Sequence, residues 1–269
     1  MALRFALNHM AAPRLGLLEF FQLARSLGIG EVEIRNDLDG RPLRDGTPPE
    51  AVRGTAARVG IVIISINGLQ RFDDWTAERE REATDLARYA AAAGTRGMVL
   101  VPVNDGSGRE AGDRRARLRR ALRGLLPILA DQDVLGLVEP LGFATCSLRS
   151  KREAAEAIEE TDGGARLRLV HDTFHHALAG EPELYPALTA LTHVSGVTDP
   201  TVSPADMRDS HRRLVDAVDR LDSVSQIKAL MAAGYTGPLS FEPFAAEVHR
   251  LVDPADALQA SMQYLTTRL

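Results

Sequence analysis

The segment LRLVHDTFHH, residues 167–176, contains the pattern on which the fold prediction is based. It is a short apolar run that stops at His171 and Asp172 and is followed by two further histidines. Runs rich in β-branched and aliphatic residues recur along the chain, and such runs are typical of buried strands. They predict strands at 4–9, 31–35, 61–67, 97–103, 134–139, 167–172, 191–194 and 238–242.

Longer segments with helical periodicity separate these runs. They predict helices over 17–27, 76–93, 113–131, 150–160, 223–233 and 254–265. Strands that alternate with helices indicate βαβ units and a parallel sheet. Eight strands in 269 residues leave about 34 residues for each strand, the spacing of a (β/α)8 barrel. We therefore predict an α/β protein with a single (β/α)8 TIM barrel over residues 1–269, since no linker or shift in composition marks a second domain.

Composition and charge exclude several classes of protein. Apolar residues make up 45% of the chain and charged residues 26%, which are ordinary globular values. The net charge of −5 argues against a nucleic-acid or anionic-membrane partner, because such partners usually require a basic excess. A lone cysteine, Cys146, excludes an internal disulfide and a cysteine-built zinc site.

The location expected from the sequence is the cytoplasm. Arg4 and Asn8 interrupt the first apolar run, which makes it a poor signal peptide and a good first strand. No run approaches the 18 or so apolar residues that a membrane span needs.

Four of the predicted strands end at an acidic residue or a histidine. In a parallel barrel the carboxyl ends of the strands meet on one face, where chemistry takes place. An acid at one strand end is usually solvated, but four such residues on consecutive strands indicate a shared site. Carboxylate and imidazole ligands suit Mn²⁺, Mg²⁺ or Co²⁺, and zinc is also possible. The predicted metal ligands are Glu139, Asp172, His193 and Glu242.

The least regular part of the chain is 195–221, between the seventh and eighth predicted strands. It is long for a barrel loop, and long loops tend to be functional or disordered. The sequence contains no phosphate-binding glycine loop and no Gly-x-Ser-x-Gly nucleophile elbow.

Several strand segments, taken together, resemble the xylose isomerase-like TIM-barrel superfamily of sugar isomerases and epimerases, and within it the inosose (2-keto-myo-inositol) isomerases. The similarity covers nearly the whole chain, and the order Glu, Asp, His, Glu on strands five to eight is its most specific part. The segments are VEIR at 32–35, SIN at 65–67, VLVP at 99–102, VEPLG at 138–142, HDTFH at 171–175, HV at 193–194 and SFEPF at 240–244.

This resemblance implies one divalent metal ion, with Mn²⁺ preferred, on Glu139, Asp172, His193 and Glu242. It also implies that Asn67, His175 and Arg213 bind substrate, with Arg212 an equal candidate for the role of the arginine. The loop departs from the family pattern, because the Pro-Gly-x-Gly turn that usually follows this arginine is missing. An acid common after the histidine of strand seven is replaced by Ser195 and Gly196, which leaves the substrate open.

The chemistry expected is isomerisation of a sugar or polyol ketone, first of all a keto-inositol, through an enediolate. A metal ion polarises the carbonyl while one carboxylate removes a proton and a second group returns it at the neighbouring carbon. Glu139 and Glu242 are the predicted proton-transfer pair.

Other enzymes of similar chemistry remain open as alternatives: a ketose 3-epimerase, a hydroxypyruvate isomerase-like enzyme and a keto-polyol dehydratase. A nuclease of the endonuclease IV type would need about three metals and a basic face, against which the acidic charge counts. A non-catalytic sugar-binding barrel is the third class. The expected partner is a small sugar or polyol ketone, with a homo-oligomer possible.

Overall fold

Eight parallel strands close into a barrel in chain order in the computed structural model, which describes residues 3–38, 43, 45–109 and 111–269. Each strand pairs with the next, and the first pairs with the last, so the predicted (β/α)8 barrel is confirmed. The strands are β1 (Phe5–Asn8), β2 (Glu31–Arg35), β3 (Val62–Gln70), β4 (Gly97–Val101), β5 (Leu135–Val138), β6 (Leu167–Asp172), β7 (Thr189–Val194) and β8 (Leu239–Phe241).

Helices surround the barrel and include three that the sequence pattern did not predict, α2 (Pro49–Val59), α6 (Thr173–Ala179) and α8 (Ala246–His249). The α2 helix buries only Val52 and Ala56, and α6 and α8 are too short to show a period. Among the described residues, no helix has the length and apolar character that crossing a membrane requires. The helices are α1 (Leu17–Ser26), α2 (Pro49–Val59), α3 (Ala77–Ala92), α4 (Ala111–Gln132), α5 (Lys151–Glu160), α6 (Thr173–Ala179), α7 (Ser223–Ala232), α8 (Ala246–His249) and α9 (Ala255–Thr266).

The two strands predicted to end at a glutamate end one residue earlier, at Val138 and Phe241. The acids that follow are still tied to the barrel by backbone hydrogen bonds. The Glu139 amide donates to the Leu100 carbonyl at 3.1 Å, and the Glu242 amide donates to the Val194 carbonyl at 3.0 Å. Both side chains therefore start from positions as well defined as those in a strand.

Inside the barrel, small and aliphatic side chains form a layer toward the amino ends of the strands. Because successive residues of a strand face opposite sides, the next inward side chain lies two residues further on. In β5, β6 and β7 these second positions are Glu139, Asp172 and His193. The apolar layer consists of Ala6, Ile64, Val99, Leu137, Val170 and Leu191.

The segment after β7 contains two short 3-10 turns, Pro204–Asp206 and Asp209–His211, and no α-helix before α7. An antiparallel bridge joins Gly196 to Arg213, with backbone hydrogen bonds of 2.8 and 2.7 Å. The bridge folds the loop back, so that the residue next to Arg213 lies over the mouth of the barrel.

Candidate metal centre

The four predicted metal ligands lie together at the carboxyl end of the barrel. Each offers one ligand atom, and these atoms all lie within 4.8 Å of one another. The His193 Nδ1 atom is 2.6 Å from Glu139 Oε1, 3.2 Å from Glu242 Oε2 and 3.8 Å from Asp172 Oδ2. All four side chains are buried.

The start of α6 orients Asp172. Its Oδ1 accepts hydrogen bonds from the backbone amides of Phe174 at 2.8 Å and His175 at 3.0 Å, so Asp172 is the N-cap of the helix. The other carboxylate oxygen, Oδ2, therefore points toward His193. A single acid thus ends the strand, starts the helix and faces the cluster.

Burial and the charges of neighbouring groups shift the pKa values of the cluster residues in opposite directions. Burial raises the pKa of Glu242 to about 7. Burial also acts to raise the pKa of Asp172, but the charges of Arg212, His175 and His193 outweigh it and hold this pKa below its usual range. For His193, burial lowers the pKa, but the charges of Glu242, Glu33 and Glu139 raise it well above its usual value.

Burying three carboxylates this close together costs free energy unless positive charge lies beside them. Oxygen donors from three carboxylates with one imidazole nitrogen fit a divalent ion such as Mn²⁺, Co²⁺ or Zn²⁺. The residues present therefore fit the predicted metal.

Two buried arginines add positive charge at the same site. The Nη2 atom of Arg212 lies 2.5 Å from Asp172 Oδ2 and 2.9 Å from Glu242 Oε2. Arg35 Nη1 lies 2.7 Å from the other oxygen of Glu242, and both guanidinium groups stack on the Phe244 ring. Glu242 is thus held by an arginine at each oxygen.

The predicted substrate-binding residues divide between the site and the surface. Asn67 donates through Nδ2 to Glu242 Oε1 at 3.2 Å, and His175 is buried against the same pocket. Arg213 lies away from the cluster: it donates to the Thr198 hydroxyl and pairs with Glu247 on the surface. The structure therefore brings the alternative candidate, Arg212, to the metal ligands.

Two buried charged residues of β2, Glu33 and Arg35, were not predicted as site residues. The signal for them was present, because positions 31, 33 and 35 share one face of a strand. Charged residues at alternate strand positions are usually assigned to solvent. Here the closed barrel turns that face inward.

A cavity of about 310 Å³ opens above the cluster, within the size range of small-molecule sites. Gly142 lies against the backbone of α6 beside this cavity, since a Cβ atom there would be 2.3 Å from the His175 carbonyl oxygen. The cavity is lined by Arg35, Asn67, Glu139, His175, Arg212, Glu242 and Phe244, with Asp37, Gln70, Arg71, Val101, Pro102, Asn104, Asp105, Leu141, Phe143 and Asp209 completing its rim.

Comparison with solved structures finds the same architecture. A xylose isomerase domain-containing protein from Salmonella typhimurium LT2 is 30% identical, with 99% of this chain and 98% of that chain covered and a TM-score of 0.90. The IolI protein, solved with a bound zinc atom, is 17% identical, with 99% of each chain covered and a TM-score of 0.86. An L-ribulose 3-epimerase is 16% identical, with 100% of this chain and 95% of that chain covered and a TM-score of 0.75.

Comparison with curated protein sequences finds no significant match. The model of the family described as "Xylose isomerase-like TIM barrel" matches residues 21–268. This match spans seven of the eight strands and all four clustered ligands. The chain therefore belongs to the xylose isomerase-like TIM-barrel family.

Proposed function

We propose that this protein is a divalent-metal-dependent isomerase or epimerase of a sugar or polyol ketone. The observation that carries the proposal is the buried cluster of Glu139, Asp172, His193 and Glu242 beneath an open cavity. Its two glutamates directly follow β5 and β8, which lie on either side of the strands that bear Asp172 and His193. A small substrate above the cluster would meet both.

A divalent ion held by these four residues would supply Lewis-acid polarisation of the substrate's carbonyl and hydroxyl oxygens. We propose Mn²⁺ first, with Co²⁺, Mg²⁺ or Zn²⁺ as alternatives. Zinc gains some support from the IolI protein, which was solved with a zinc atom.

The chain's own groups would move the proton. One glutamate accepts a proton from the carbon next to the carbonyl, and the second group donates one at the neighbouring carbon or on the opposite face. Arg35, Asn67 and Arg212 fix the carboxylate of Glu242, which limits the positions from which it can reach a substrate carbon. His175, Arg35 and Arg212 can hold substrate oxygens.

For the substrate, we propose a keto-inositol, on the resemblance of strands two and three to the inosose isomerases. A ketose 3-epimerase is the second candidate. The Asp172–His175 spacing supports it, as does the structural likeness to L-ribulose 3-epimerase. A cytoplasmic location and a homo-oligomer stay predictions.

A substrate panel in D₂O tests the function. Purified protein loaded with Mn²⁺, Co²⁺ or Zn²⁺ is incubated with keto-inositols and ketoses, and NMR follows the products. An isomerase moves the carbonyl and places deuterium at the carbon it leaves, whereas a 3-epimerase inverts one carbon without moving the carbonyl.

The His193→Ala variant is the matched test of the metal, with His249→Ala as the control outside the cluster. We expect His193→Ala to lose most of its bound metal and its turnover, since His193 supplies the nitrogen ligand of the cluster. Wild-type protein that binds no divalent ion, or His193→Ala protein that turns over normally, would refute the proposal.

A further inference from the structure

We infer that Glu33 is a positioning residue. It holds the proton on His193 Nε2 and so leaves the lone pair of Nδ1 available to the metal ion that the cluster would bind. The inference rests on the proposed function, because it concerns the same metal site. Glu33 is fully buried in β2, below the ligand cluster and on the opposite side of the imidazole ring.

Among the described residues, the Glu33 carboxylate has four polar neighbours, and three of them donate to it. Oε2 accepts from the Ser65 hydroxyl at 2.5 Å and faces His193 Nε2 at 3.2 Å. Oε1 accepts from the Ser240 hydroxyl at 2.5 Å and from Asn8 Nδ2 at 3.3 Å. Four contacts saturate the two oxygens of a carboxylate.

The orientation of Asn8 is fixed by its other partners. Its Oδ1 accepts from the Met10 amide at 3.0 Å and from Arg35 Nη1 at 3.3 Å. The amide nitrogen of Asn8 must therefore be the atom that faces Glu33. An amide nitrogen can only donate, so Glu33 Oε1 must accept from it.

Glu33 is accordingly an anion in the folded protein. Of the two groups that share this contact, the carboxyl group is ordinarily the stronger acid and the imidazole the stronger base. An ionised carboxylate has no proton to donate, so the proton between it and His193 belongs to Nε2. A neutral His193 is then protonated at Nε2 and unprotonated at Nδ1.

This tautomer allows His193 to bind a metal ion through Nδ1. The Nδ1 atom is the ring nitrogen that lies 2.6 Å from Glu139 and 3.2 Å from Glu242, and a metal ligand must offer an unprotonated nitrogen. Carboxylates that fix the second ring nitrogen of a ligating histidine orient the ring and raise its basicity. Glu33, on β2, can have both effects on His193, which lies on β7.

The Glu33→Gln substitution tests the role with little change in volume. Its amide can donate to Nε2, which favours a proton on Nδ1 and removes the ligand. We expect the affinity for Zn²⁺, measured by chelator competition, to fall 10- to 100-fold. Glu33→Asp, which keeps the anion, should bind more tightly than Glu33→Gln.

Glu31→Gln is the matched control, two residues earlier on the same strand. Glu31 pairs with Arg4 and Arg96 at the amino end of the barrel, away from the cluster. Its substitution should leave the affinity for Zn²⁺ unchanged. Far-UV circular dichroism and thermal melting show whether each variant is folded.

A second readout comes from ¹⁵N NMR of the zinc-loaded wild-type protein, where His193 should carry its proton on Nε2. A proton on Nδ1 instead, or a folded Glu33→Gln variant that binds Zn²⁺ as tightly as wild type, overturns the inference while leaving the proposed function intact. Wild-type protein that binds no metal refutes the proposed function and this inference with it. Should Glu33→Gln not fold, the NMR result and Glu33→Asp decide.

Discussion

The barrel interior contains two layers of opposite character on the same strands. The lower layer is apolar and includes Leu137, Val170 and Leu191, whereas the upper layer holds Glu139, Asp172 and His193. Each upper residue is two positions after a lower one. A step of two residues along three consecutive strands thus changes the interior from hydrocarbon to a charged cluster.

The two layers contribute differently to the free energy of folding. Apolar burial stabilises the protein in proportion to the area removed from water. Burying carboxylates costs free energy unless cations and hydrogen bonds compensate it. In this structure Arg35, Arg212 and His193 provide that compensation. We therefore expect substitutions in the lower layer to change stability, and those in the upper layer to change metal binding and turnover.

The largest expected effect is on stability in the lower layer. Leu137→Ala should lower the free energy of unfolding by about 2–5 kcal/mol, because it leaves a cavity in a closed barrel. Bound metal per folded chain should stay the same. Denaturant unfolding and metal analysis provide the measurements. Val218→Ala, at a side chain 62% exposed, is the control and should change stability by less than about 0.5 kcal/mol.

The second expected effect is a loss of turnover when either glutamate of the upper layer is replaced. Glu139→Gln and Glu242→Gln keep the shape of the side chain but cannot accept a proton at neutral pH. We expect kcat to fall by about 10² or more in each, with some metal retained. If the two acids have separate roles, one variant may still exchange substrate hydrogen with D₂O and the other should not. Near-normal kcat in both would make them metal ligands only, with His175 the next candidate base.

A smaller effect, on kcat/KM, should distinguish the adjacent residues Arg212 and Arg213. Arg212→Ala should reduce kcat/KM at least tenfold, about 1.4 kcal/mol, since the guanidinium lies on Asp172 and Glu242. Arg213→Ala should change it less than threefold, because its ion pair with Glu247 is about half exposed. Steady-state kinetics on the substrate identified by the panel measures both. The reverse order would place Arg213 in the site.

A further expected effect, on the pH dependence of stability, concerns a buried amine outside the barrel. Lys151 Nζ lies 2.5 Å from His171 Nδ1 and 2.8 Å from His176 Nδ1, and burial lowers the pKa of Lys151 to about 7. Below pH 7 the lysine is charged in both the folded and the unfolded chain. Between about pH 7 and 10.5 the unfolded chain binds more protons, so this group makes stability rise with pH over that window.

Lys151→Met should flatten that rise. The measurement is the free energy of unfolding by denaturant at several pH values from 7 to 10, compared with wild type. Lys228→Met, a substitution of an exposed lysine on α7, is the control. An unchanged slope in Lys151→Met would mean that the amine carries its ordinary charge in the folded protein.

The barrel and the positions of the four candidate metal ligands could be predicted from local sequence patterns. Apolar runs that stop at Glu139, Asp172, His193 and Glu242 are local signals, and the parallel arrangement of the strands places their ends together whatever the side chains around them. Alternation along a strand then fixes which residues face inward. Each step depends on near neighbours in the chain.

Local patterns could not predict which arginine contacts the cluster or which residues lie beneath it. Arg212 and Arg213 are adjacent in an irregular loop, where no periodic pattern predicts which side chain faces the barrel. The bridge between Gly196 and Arg213 fixes the backbone so that Arg212 faces the cluster. Glu33 and Arg35 stand on a strand whose charged face would be exposed in an open sheet. Closure of the barrel between β1 and β8 buries that face and brings Glu33 to within hydrogen-bond distance of Ser240, 207 residues away in the sequence.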